Sequence, residues 1–166
     1  MILVRLCKIA LVGSVAFFFS LVAYGNIADY DANWQFVQHV LSMDTTFPNS
    51  SLRARAITDP ALQTGGYRLI IATEALVAVL LWAGALRLLA VIGSRQFDRA
   101  KAIAVTGLSL GFLLYAVGFV AVGGEWFAMW QSKTWNGLDT ATRVILLTGV
   151  ALLVTHLPGT VPADAA

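Results

Sequence analysis

Apolar residues fill four long blocks of this chain, Ile9–Tyr24, Tyr67–Ile92, Ala102–Val122 and Ala141–His156. The blocks hold 16 to 26 residues each. About 20 helical residues at a rise of about 1.5 Å cross a hydrocarbon core of about 30 Å. Lipid offers no partner to backbone N–H and C=O groups, so the blocks are predicted to be helices. With their flanking turns they become spans at about 7–25, 67–92, 101–123 and 139–157. The expected fold is an all-α membrane protein, an antiparallel four-helix transmembrane bundle.

Between the blocks the pattern changes. The long connection 26–66 holds four of the seven aspartates and one of the two histidines. Within it Asp31 is placed to cap a helix whose apolar positions Trp34, Val37, Val40 and Leu41 share one face. Phe36 and Met43 flank that stripe, Pro48 ends it, and Ser51–Ile57 is predicted as a second short helix. The shorter connection 124–138 has three of the five tryptophans, Trp126, Trp130 and Trp135, followed by Asn136. Such aromatics suit a belt at headgroup depth or a ridge packed on the Trp34 helix. Together the loops are expected to form a helical cap over one end of the bundle. In the third block Gly107 and Gly111, with Gly118 near the same face, suit close packing of a neighbouring helix.

Composition removes the soluble alternative. Of the 166 residues, 58% are hydrophobic and only 12% charged, against about 25% charged in ordinary globular domains. A net charge of +2 without a basic run gives no reason to expect nucleic acid. Arg5, Lys8, Arg87, Arg95, Arg99 and Lys101 gather at one set of span ends, which places the N- and C-termini in the cytoplasm and both long loops in the periplasm. Arg5 and Lys8 before an apolar run also resemble a signal peptide. The following VAYGN lacks a small-x-small cleavage pattern, so an uncleaved first span is expected. Residues 158–166 are expected to be a disordered cytoplasmic tail. The single cysteine, Cys7, excludes an internal disulfide.

Glu74 is the most informative polar residue. It lies seven residues into its block, about 10 Å below the outer end. A lone carboxylate at that depth is costly, so it should be protonated, paired or beside a wet cavity. Arg143, a few residues into the fourth block from the same side, is the expected partner, and Arg68 is the second choice. His39 and Asp44 stand five apart, which is not a metal-ligand spacing on one helical face. With Glu125 they are the polar candidates of the cap. No zinc spacing, phosphate loop or nucleophile elbow occurs, so no catalytic residue, metal or cofactor is expected.

The stretches NIADYDANWQFVQHVLSMDTTFP and GGEWFAMWQSKTWNG carry a resemblance to an uncharacterised family of predicted small integral membrane proteins of bacteria. It covers nearly the whole chain. The resemblance implies four spans in a bacterial inner membrane and supplies no activity. The first expectation is a non-enzymatic accessory or interaction subunit, surrounded by lipid and presenting an aromatic and polar cap to a protein partner. The alternative is a small-solute or proton-coupled carrier, or a ligand-binding membrane protein, built on Glu74 and Arg143. An enzyme at the outer interface would need Glu125, His39 and Asp44 together.

Overall fold

The computed structural model describes residues 2–159. Four helices are long and apolar enough to cross a membrane: α1 (Ile2–Ala28), α3 (Pro60–Ala90), the 30-residue rod Phe97–Trp126, and α6 (Leu138–His156). The third rod has a short first turn, α4 (Phe97–Ala100), then α5 (Ala102–Leu113), and continues as a π-helical segment over Leu114–Trp126. Helix α2 (Tyr30–Ser42) and two short 3₁₀ turns, Ser51–Arg55 and Met129–Gln131, complete the fold. Among the described residues there is no strand.

Each span buries a seam with steps of three and four residues. In α6 it is Ala141, Val144, Thr148, Ala151 and Thr155. In α1 it runs through Lys8, Val12, Val15, Phe19 and Ala23, and in α3 Tyr67, Glu74, Leu81 and Leu88 recur every seven residues. This 3.5-residue repeat keeps one stripe of each helix toward its neighbours in a slightly supercoiled antiparallel bundle. Helix α1 packs on α3, α3 on α5, α5 on α6, and α6 closes the ring against α1. The remaining faces present Leu69, Val79, Leu86, Leu146 and Leu153 outward, the surface that lipid solvates.

Close packing of the third span on α1 and α3 depends on glycine. A Cβ on Gly107 would lie 2.9 Å from Leu81, and one on Gly111 would lie 2.9 Å from the Phe19 ring. A Cβ on Gly118, expected on the same groove, would meet only the Leu114 side chain of its own span within 4 Å, at 3.7 Å. The change to π-helical winding after Leu113 turns it away from that contact.

Both connections fold into one cap. Val40, Met43, Phe127, Ala128 and Met129 are buried together, with Phe36, Leu41, Ile57 and Trp135 against them. Polar bonds join the loops: the Phe47 amide donates to Gln131 Oε1 at 3.0 Å and Thr45 Oγ1 donates to Ser132 Oγ at 2.8 Å. Helix α2 starts before the expected cap residue. Asp29 holds the N-cap position without a side-chain bond, and Asp31 lies in the first turn, where its charge suits the helix dipole. The predicted helix at Ser51–Ile57 is a 3₁₀ turn over Ser51–Arg55, capped by Ser50. Asp59 caps α3 through the Ala61 and Leu62 amides, with Pro60 in the first turn.

The opposite end is held by side chains reaching the α3–α4 connection and the segment after α6. Arg5 donates to Ile92 O at 2.6 Å, Ser94 O at 2.9 Å and Gly159 O at 3.4 Å. Lys8 and Lys101 both donate to Leu157 O, and Asp98 accepts from the Gly159 amide at 2.9 Å. Composition puts 158–166 in a disordered tail, but Pro158 and Gly159 are docked on these groups; residues 160–166 lie outside the described residues.

Candidate functional site

The seams that pack the spans also bring their rare polar residues to one level. Asn26 continues the α1 seam three residues beyond Ala23, Glu74 sits on the α3 seam, and Tyr115 follows Gly111 on the third span by one turn. Asn26 Nδ2 donates to Glu74 Oε2 at 2.6 Å, and Tyr115 Oη donates to Glu74 Oε1 at 3.0 Å. Tyr67 Oη donates to the Asn26 carbonyl at 3.1 Å. Glu74 is 1% exposed. The network therefore fastens three spans together around one carboxyl group.

Arg143, the partner that depth along the span suggests, is not in this network. It is exposed, one residue before buried Val144 and so about 100° round the helix from the seam. Arg68 is likewise exposed, one position after buried Tyr67. Both arginines share Glu74's end of the bundle, but on faces turned away from it. Among the described residues the ion pairs are His39–Asp44 and Lys101–Asp98.

Glu74 borders a half-open chamber of about 370 Å³ lined by all four spans and by α2. Asn26, Asn33, Tyr67, Tyr115 and Thr140 supply its other polar groups. Asn33 and Thr140 are exposed, so the mouth lies between α2 and the start of α6. The walls are mainly apolar, with Phe18, Phe36 and Phe119 beside the two tyrosines. Tyr115 and Phe119 stack with ring centres 4.7 Å apart and planes 10° from parallel. They occupy the π-helical segment, a winding that is uncommon and frequently found at functional sites. Phe36, Val37, Ile70 and Phe119 also separate the chamber from a second, apolar groove of about 330 Å³ on the lipid-facing flank, which Gly118 helps to line.

The cap residues fall into small groups instead of one cluster. His39 Nδ1 and Asp44 Oδ2 are 2.7 Å apart although five residues separate them. The left-handed Met43 (φ 51°) folds the chain back after α2 to permit this. The His39 ring stacks on Trp135 at 4.6 Å. Trp34, on α2, lies 6.3 Å from the Tyr67 ring. Trp126 carries the Arg55 guanidinium 4.5 Å from its ring centre, and Trp130 meets Phe47 edge-on. Asn136 Oδ1 accepts from the Leu138 amide, turning the chain into α6. Glu125 is exposed. Among the described residues, no three His, Cys, Asp or Glu side chains gather as a metal set.

Four apolar spans, each long enough to cross a membrane, define a multi-pass α-helical integral membrane protein. The model of the family described as "Predicted small integral membrane protein (DUF2165)" matches residues 4–158, and the chain belongs to that family. No curated protein and no solved structure gives a significant match to it.

Proposed function

We propose that this protein is a solute-binding membrane protein of the bacterial inner membrane, a carrier or receptor that admits a small polar molecule from the periplasm. One observation carries this reading: a buried carboxyl group, bonded by two uncharged donors, faces a chamber of about 370 Å³ with a polar mouth. That volume is within the range of about 300–1,000 Å³ common to small-molecule sites. Few polar groups among mainly apolar walls is also the usual make-up of such sites. Intramembrane carboxyl groups facing a bundle interior commonly mark substrate or proton paths.

The sidedness rests on charge. Arg5, Lys8, Arg87, Arg95, Arg99 and Lys101 lie at the end opposite the cap. A cytoplasmic position for that end puts both termini inside and the chamber mouth outside. Cysteine labelling in intact spheroplasts tests the arrangement. In a Cys7→Ser background, Arg53→Cys should react with a membrane-impermeant maleimide and Arg95→Cys should not. The reverse pattern overturns the topology.

A second reading, an accessory subunit docking through the cap, is favoured by exposed aromatics there. Phe47, Trp126 and Trp130 are each about half exposed, and tryptophan is a common anchor of interfaces. Mild-detergent purification from native membranes tests it. A stoichiometric partner lost on Trp130→Ala supports docking, and a clean single species argues against it.

A further inference from the structure

The chamber has one acid and five aromatic side chains in its lining but no basic side chain. Its described lining holds no lysine or arginine, and Glu74 is the one residue there that is charged in its ordinary ionised form. Both groups bonded to Glu74, the Asn26 amide and the Tyr115 hydroxyl, are uncharged. A buried carboxylate with only neutral donors is incompletely compensated. An anionic ligand would make this worse, since it would sit beside the same carboxylate. A positively charged ligand would supply what is missing.

The walls suit one kind of cation. Small hard metal ions favour several carboxylate ligands, and the chamber provides one, with only neutral amide and hydroxyl groups besides. Alkylated ammonium ions instead bind against aromatic faces, with the charge within about 6 Å of a ring centre. Phe18, Phe36, Tyr67, Tyr115 and Phe119 line the chamber, and Phe119 stacks on the Tyr115 ring whose hydroxyl bonds Glu74.

Resting on the solute-binding reading, we propose that the ligand is a small organic ammonium ion, its charge held by Glu74 and its alkyl groups packed on the aromatic walls. The test uses the full-length protein in nanodiscs, titrated with choline and with its neutral carbon isostere 3,3-dimethylbutan-1-ol. Binding is read by calorimetry and by tryptophan fluorescence. Choline should bind at least about tenfold more tightly than the isostere, since loss of one partner from a buried charge pair commonly costs that much or more. Glu74→Gln should abolish the preference. Phe119→Leu, which leaves both Glu74 bonds in place, should weaken choline about threefold or more.

Equal binding of the two probes would overturn the ammonium assignment and leave the solute-binding reading standing. The same holds if neither binds while a thiol placed in the chamber, Val144→Cys, still reacts from the loop side. If neither binds and that thiol is inert, both readings fail.

Discussion

Tyr115→Phe is the most informative single change for the polar network. It deletes one hydroxyl and preserves the ring that stacks on Phe119 and lies edge-on to Phe19. The lost bond is 3.0 Å long and buried. A hydrogen bond to a charged partner contributes about 1.5–3 kcal/mol and a neutral one about 0.5–1.5, while interhelical bonds in membranes average about 0.6. The expected loss is therefore about 1–2 kcal/mol. Glu74→Gln should be tolerated, because a glutamine amide can accept from Asn26 and donate to a reoriented Tyr115 hydroxyl. In that background the Tyr115→Phe change should cost less, leaving a coupling of about 1 kcal/mol in a double-mutant cycle. Reversible unfolding in mixed micelles measures each corner. Additive effects, within about 0.3 kcal/mol, would refute the claim that these side chains stabilise the bundle through each other.

Other consequences follow from the packing. Gly111→Val should destabilise the bundle by about 1–3 kcal/mol, as overfilled contacts do, because its Cβ would press on Phe19 and Val77; Gly118→Ala should be near neutral, and equal effects would contradict the difference seen between the two glycines. Asp44→Asn should cost less than about 1 kcal/mol, as exposed ion pairs do, since the His39 ring keeps its stack on Trp135; a larger loss of thermal stability would mean the pair is not a surface contact. Arg5→Ala leaves the Ile92, Ser94 and Gly159 carbonyls without that donor, and should lower stability by about 2–4 kcal/mol, measured in the same unfolding assay.

The spans were legible because lipid demands unbroken apolar stretches, and no other solvent explains so few charges. Glu74 was legible for the same reason, as an acid inside such a stretch. Its partners were not. Choosing Arg143 used depth along the membrane normal and ignored rotation about the helix axis. The steps Ala141, Val144, Thr148 would have shown Arg143 facing outward, and extending the α1 seam past Ala23 reaches Asn26. Tyr115 was hidden because tyrosine fits both an apolar seam and a polar network. The His39–Asp44 contact depends on one left-handed residue, Met43, which helical spacing cannot reveal. The docking of Pro158 and Gly159 was likewise invisible, since backbone carbonyls and amides make those bonds and composition says nothing about them.

The central claim is that water reaches a chamber inside the bundle from the capped end. Single cysteines at Val144, which lines the chamber, and at Leu146, which is 62% exposed on the outer face, test it directly in a Cys7→Ser background. A positively charged, membrane-impermeant methanethiosulfonate added from the capped side should modify Val144→Cys and spare Leu146→Cys, which lies in lipid. Labelling of Leu146→Cys alone, or of neither, would contradict the account.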